Sequence, residues 1–426
     1  MAWWSRRRAA VIVACLALLL PAACSTTEPP APAPPGSGDT ATLPPDLVAR
    51  IDGLAAGSFT DGITGAIVGI DDPARGRLVR AYGTADVAGA PMTPDMHVRI
   101  ASVTKTFTAN AVLDLVAQNR LALDARLAEF VPDIPNGETI TIRDLLAMRG
   151  GVYDFTADQA WFARYLADPT LPGWTAQDVL AIVRAHAAEA RPPNTQTQYS
   201  NSEYVLLGLV VERVTGRPVA ETLQALAERL GLGETSYPTV DELPTPFSRG
   251  YLSAGDTTPP PYRDVTVSNP AVGGAAGAMV STVEDMVRYA PVLATGSDLP
   301  PALAAQRRAW SPLTTSGVRL QYGLGVTQLG DWVGHDGGPG GQRRGRQRRA
   351  GPGAVGADRR GRVPRDADEL AVLTPCPRSG SAGTVGRVTL ITRRSSWPRP
   401  RRCGNCWART RRRTGAGGAP TTRSGR

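Results

Sequence analysis

The chain has 426 residues, 42% hydrophobic but only 6% aromatic, enough apolar material for a large core built mainly from Ala, Val and Leu. Its formal charge of +9 is uneven: Gln342–Arg426 holds 22 Arg against 4 acids, while the remainder holds 25 bases against 34 acids. The body is therefore acidic, which argues against a nucleic-acid partner, and a single apolar run of spanning type, at the N-terminus, excludes a multi-span membrane protein.

Residues 1–24 read as an export signal. Arg6, Arg7 and Arg8 form a positive region, and Ala9–Leu20 is an apolar stretch too short for a comfortable span. Pro21-Ala22-Ala23-Cys24 resembles a lipobox, with Cys24 as the lipidated residue; an ordinary cleavage site near Ala22 is the alternative. Either way the expected location is extracytoplasmic, anchored to the cell membrane by the N-terminal lipid in the first case and secreted in the second. Residues 25–42, rich in Ser, Thr, Pro and Gly, read as a flexible tether. No Cys lies between Ser25 and Pro375, so the body has no disulfide framework.

Residues 43–341 carry the pattern of a folded domain. Leu47–Leu54 predicts a helix, and Gly62–Ile70 with Arg77–Tyr82 a hairpin turning at Asp71-Asp72-Pro73. Val98–Ala101 leads into a helix over Ser102–Leu121, with apolar residues at Val103, Phe107, Val112, Leu115 and Val116. Ile140–Met148 predicts a helix stopped at Gly150-Gly151, Trp161–Ala190 is mostly helical, and Tyr204–Val214 and Pro218–Leu230 form a helix pair broken at Gly216. A glycine run, Gly273–Gly277, precedes a helix over Thr282–Tyr289, and Val318–Gln328 and Asp331–Gly334 read as strands. Sheet, helical middle, sheet predicts an α/β body with a helical insertion.

Three motifs carry chemistry. Ser102-Val103-Thr104-Lys105 opens the long helix, and residues three apart share a helix face, so the Ser102 hydroxyl and Lys105 amine can meet. Lys105 is the only Lys in a chain of 47 basic residues. A partly buried Lys of lowered pKa can take the serine proton; a chance Ser–Lys spacing is the ordinary alternative. Tyr199-Ser200-Asn201 offers a phenol that nearby cations can tune and an amide able to hold an ammonium and a substrate carbonyl. Taken alone, the motif is better explained by a turn Tyr and a helix-capping Asn. Gly334-His335-Asp336-Gly337-Gly338 ends a strand, where small residues let a substrate backbone lie along the edge and His335 can face an anionic group; a glycine-rich turn with a surface His is the alternative. His97 and His186 fit no catalytic role.

Together these motifs resemble the serine β-lactamase and penicillin-binding family, in its class C and D-alanyl-D-alanine carboxypeptidase branch. Supporting stretches are Arg99-Ile100-Ala101, Thr141-Ile142-Arg143-Asp144-Leu145-Leu146, Gly273–Ser281 and Tyr322-Gly323-Leu324-Gly325-Val326; the resemblance covers about Leu47–Gly338. It implies an antiparallel sheet flanked by helices, with a helical insertion. It implies Ser102 as nucleophile, Lys105 and Tyr199 sharing the proton work, and Asn201 orienting Lys105 and substrate. His335, Gly337 and Gly338 would line the third wall, with the N–H groups of Ser102 and Gly338 as oxyanion hole. The implied substrates are peptidoglycan stem peptides ending in D-Ala-D-Ala, β-lactams or small esters; no metal or cofactor is implied. His335 in place of Lys points towards peptidase or esterase members. Met148-Arg149-Gly150-Gly151 stands where relatives carry a His-Thr-Ser-Gly-like turn.

Residues 342–426 depart from that pattern. Where closing strands and a helix are expected, the text becomes rich in Arg, Gly, Pro and Ser, and only Leu370–Leu373 and Val388–Ile391 could form strands. The closing elements are therefore expected to be missing, leaving the third-motif strand as an edge. A shifted reading frame, a basic arm for anionic envelope polymers, and a metal module at Cys403-Gly404-Asn405-Cys406 are the three accounts of this tail.

Overall fold

The computed structural model describes residues 42–56, 65–72, 75–253, 262–315, 318–330, 332–337, 370–375 and 389–392. In chain order the elements are α1 (Pro45–Ala56), β1 (Gly65–Asp72), β2 (Gly76–Gly83), β3 (Val98–Arg99), α2 (Thr104–Ala117), α3 (Ile142–Leu146), α4 (Gln159–Ala167), α5 (Ala176–Ala185), α6 (Asn201–Thr215) and α7 (Val219–Arg229). There follow β4 (Tyr251–Ser253), β5 (Tyr262–Asp264), α8 (Pro270–Gly273), β6 (Val280–Ser281), α9 (Val283–Thr295), α10 (Pro301–Arg307), β7 (Ser311–Thr315), β8 (Val318–Tyr322), β9 (Thr327–Leu329), β10 (Trp332–Gly337), β11 (Leu370–Pro375) and β12 (Thr389–Thr392).

Eight strands form one antiparallel sheet in the order β2-β1-β12-β11-β10-β9-β8-β7. The helical segment between β3 and β7 is the predicted insertion. The expectation of missing closing strands is corrected: β11 pairs with β10 over its whole length and β12 joins it to β1. The two short stretches suffice because a ladder uses only backbone groups, and six and four residues fill the gap. The sheet thus takes two strands from the Arg-rich segment, and the fold does not stop at residue 341. A single strand over Val318–Gln328 is also corrected; it divides into β8 and β9 at a tight turn where Gly325 has φ +80°.

α2 is buried nearly all round, from Thr104 to Leu113. Such a helix must satisfy its polar side chains internally. Thr106 Oγ1 donates to the Val103 carbonyl at 2.7 Å, Thr108 Oγ1 to the Ala275 carbonyl at 2.6 Å, and Asn110 Nδ2 to Tyr289 Oη at 3.2 Å. Phe107 stacks on Tyr289 of α9 with centroids 4.3 Å apart. α3 begins with a reciprocal cap: Thr141 Oγ1 accepts from the Asp144 N–H at 3.1 Å and the Thr141 N–H donates to Asp144 Oδ2 at 2.9 Å. These contacts seat α2 between α6, α9 and the sheet, with its N-terminus at β10.

Candidate active site

Ser102 lies in a single helical turn, Ala101–Val103, that feeds α2. Ala101 has φ +45°, a left-handed conformation that costs an alanine of the order of 1 kcal/mol. Surrounding contacts hold it there: the Ile100 N–H donates to the Met279 carbonyl at 3.0 Å and the Met279 N–H to Thr104 Oγ1 at 3.1 Å. Gly337 of β10 closes the other side. A Cβ there would stand 2.3 Å from the Ile100 carbonyl oxygen and 3.2 Å from the Ser102 nitrogen, so only glycine lets the strand approach. Among the described residues β9 pairs with β10 only over Trp332–Gly334, and no other described strand pairs with His335–Gly337 on the side opposite β11.

Lys105 Nζ is fully buried and lies 2.9 Å from Ser102 Oγ, 2.8 Å from Asn201 Oδ1 and 2.8 Å from the Ala276 carbonyl oxygen. Burial brings its pKa down to about 7, against the pull of Asp154 and Asp336. Tyr199 Oη donates to the same Ser102 Oγ at 2.6 Å, and its ring centroid is 4.8 Å from Lys105 Nζ. The expectation that cations lower its pKa is corrected: burial, reinforced by Asp336, pushes the phenol well above its ordinary range. Asn201 reaches Lys105 as expected, but its amino end donates to Asp154 Oδ1 at 3.3 Å and to Thr156 Oγ1 at 3.2 Å. In this arrangement the two ends of the amide meet lysine and aspartate.

His335 also differs from the expectation. It is buried, with Nδ1 2.6 Å from the Asp336 carbonyl and Nε2 3.2 Å from Tyr322 Oη. A carbonyl only accepts, so Nδ1 carries the proton and Nε2 accepts from Tyr322. Burial lowers its pKa against the pull of Asp336, whose carboxylate lies 3.6 Å from Nδ1, leaving a neutral ring behind Tyr199, with centroids 6.3 Å apart. Inward alternation along β10 is the reason: His335 and Gly337 share the face that packs on the α2 turn. Gly338 and Cys24 lie outside the described residues.

The Met148–Gly151 turn has its own logic. Met148 adopts φ +57° and its Sδ accepts from the Ser200 N–H at 3.3 Å. Arg149 Nε donates to Asn194 Oδ1 at 2.6 Å and Nη1 to Thr197 Oγ1 at 3.3 Å, pinning the loop ahead of Tyr199. Gly150 leaves room for the buried Glu203, whose carboxyl burial pushes well above its ordinary range; a Cβ would lie 3.0 Å from Glu203 Oε1. Reasoning from sequence missed Asp154, Thr156 and the Ala276 carbonyl. The Gly273–Gly277 run pointed towards the last; nothing in the text marked the others. Among the described residues no three His, Cys, Asp or Glu side chains converge as metal ligands.

Comparisons with known proteins agree with this fold. A family model described as Beta-lactamase matches residues 51–350. Penicillin-binding protein 4 of Amycolatopsis lactamdurans is 29% identical over 315 residues, spanning 69% of this chain and 76% of that protein. Esterase EstB of Burkholderia gladioli is 35% identical over 225 residues, 50% of this chain and 54%, about half, of the esterase. The crystal structure of a D-stereospecific amidohydrolase from Streptomyces sp. superposes with a TM-score of 0.66 at 27% identity, covering 82% of this chain and 94% of that one.

Proposed function

This chain belongs to the beta-lactamase family of serine hydrolases, and from that footing we propose that it works through an acyl-enzyme on Ser102. The observation that carries the reading is the set of contacts around Lys105 Nζ. A neutral amine has two N–H groups and one lone pair. Asn201 Oδ1 and the Ala276 carbonyl take the two hydrogens, and the lone pair is left for the Ser102 hydroxyl at 2.9 Å. With a pKa of about 7, half the amine is free near neutral pH.

Lys105 removes the Ser102 proton as Oγ bonds to the substrate carbonyl carbon. Tyr199, protonated throughout, donates to that oxygen and steadies its developing charge. Collapse breaks the bond to the leaving nitrogen or oxygen, which takes the proton back from Lys105. Water then hydrolyses the ester, with Lys105 again as base. The acyl donors are D-alanyl-D-alanine stem peptides, β-lactams, and small esters or amides. Similarity to an esterase and an amidohydrolase, with the neutral His335 on the third wall, favours the last group. Residues 1–24 would export the chain and Cys24 would anchor it, which the mass of the mature N-terminal peptide tests.

The central test is covalent. Fluorescent penicillin and p-nitrophenyl esters are offered to the protein and to S102A. A mass shift on the Ser102 peptide, or ester turnover, that S102A loses supports the proposal; turnover unchanged in S102A ends it. Because the free amine is the base, kcat/KM rises with pH through about 7 and then levels, the phenol remaining protonated.

A further inference from the structure

We propose that Asp154 is a positioning residue for the Ser102–Lys105 couple, acting through the side-chain amide of Asn201. The inference rests on the Ser102 acyl-enzyme reading for its catalytic meaning. Its geometry stands separately.

An amide has unlike ends, and here each meets its complement. Asn201 Oδ1 accepts from Lys105 Nζ at 2.8 Å. Asn201 Nδ2 donates to Asp154 Oδ1 at 3.3 Å, Asp154 Oδ2 at 3.4 Å and Thr156 Oγ1 at 3.2 Å. The Asn201 backbone N–H adds a bond to Asp154 Oδ1 at 3.2 Å, as does the Thr156 N–H at 3.2 Å. Turning the amide over would set its oxygen against the carboxylate and its amino group against the lysine, and both contacts would be lost. The carboxylate at 154 therefore decides which Asn201 atom Lys105 meets. It also polarises the amide, making Oδ1 a stronger acceptor.

Asp154 has an ordinary task as well, capping the turn Phe155–Ala157 through the Thr156 N–H. That task accounts for one contact and leaves the three to Asn201 unexplained. Burial raises the Asp154 carboxyl, while the donors from Thr156 and Asn201 pull it back towards the ionised form. Other groups facing Lys105 are Asp336, the neutral His335 ring, and the Tyr199 and Tyr204 rings, with centroids 4.8 and 5.8 Å away. Asp154 and Asp336 both raise the lysine against burial, and only Asp154 shares a hydrogen-bonded partner with it.

The chain supplies its own probe. Lys105 is its sole lysine, so protein grown on isotopically labelled lysine has one side-chain resonance to titrate. In D154N the negative charge is gone, and the lysine pKa is expected to fall by on the order of one unit. The acid limb of kcat/KM for a p-nitrophenyl ester should move to lower pH with it. The exchanged pair D154N/N201D keeps one acid and one amide but brings the charge beside the amine, so the lysine should titrate above the wild-type value. Shifts of opposite sign support the proposal, since loosened packing would move both variants alike. An unmoved resonance in folded D154N, or shifts of one sign in both variants, overturns it. Should D154N not fold, the exchanged pair is read alone, an upward shift supporting and an unmoved resonance overturning; failure of both to fold makes Asp154 a cap and overturns it too. If wild type shows no Ser102-dependent turnover, the acyl-enzyme reading fails, while the lysine titration still judges Asp154.

Discussion

Ser102 Oγ has two hydrogen-bond partners, Lys105 Nζ at 2.9 Å and Tyr199 Oη at 2.6 Å, and their electrostatic characters are opposite. Burial makes Lys105 easier to deprotonate and Tyr199 harder. One is poised to accept a proton and the other to keep one. Tyr199→Phe should therefore lower kcat by about a hundredfold or more while leaving KM within a few-fold, because it removes a donor that matters once charge develops on Oγ; steady-state ester kinetics check this, and an unchanged kcat would remove Tyr199 from the mechanism. The Ser102–Lys105 pair was legible in the text because a helix brings residues three apart together without help from the rest of the chain. Asn201 was legible as a residue and half legible as a role. Its partner Asp154 was not, since that contact depends on how the loop after α3 folds back on α6. The Ala276 acceptor was only hinted at by the Gly273–Gly277 run, for a simpler reason: every residue has a carbonyl.

At the scale of elements, β10 shows how a strand hides half of what it carries. His335 and Gly337 turn towards the α2 turn, and His335 is thereby sealed beneath Tyr199 and Tyr322. Motif reading had the imidazole facing an anionic substrate group because it saw identity without facing. The ionisable group that β10 does leave partly open is Asp336, whose side chain is 41% exposed and whose charge is felt at Lys105, Tyr199 and His335. A carboxylate at that position disfavours anionic acyl donors. Asp336→Ser should raise acylation by an anionic penicillin about threefold relative to a neutral ester, with the gain shrinking as salt is added. Stopped-flow labelling of the wild type and the variant decides it, and equal ratios would clear Asp336 of any part in selection.

On the scale of the whole molecule, the fold class was legible from the order of strand and helix patterns. The closure of the sheet was not, because β11 and β12 are short and lie in Arg-rich text that reads as unable to build a core. Their place is interior: Val372 stands opposite His335 in the ladder, and Leu390 opposite both Val372 and Gly69. Val372→Pro removes a backbone donor from the middle of the sheet and should cost about 3 kcal/mol. Thermal unfolding measures that cost, and an unaltered melting temperature would mean that residues 370–375 contribute nothing to the sheet. Peptide mass mapping of residues 342–426 in the native protein tests the shifted-frame account of this segment.

The pairing of Gly69 with Leu390 also sets a timetable. Nearly the full length of the body must be made before these two residues can meet, and joining ends so far apart is slow. Until then β1 has β2 on one side and an open flank on the other. The strand that locks the sheet is thus the last of its elements to be made, and the eight strands close only once residue 390 is in place.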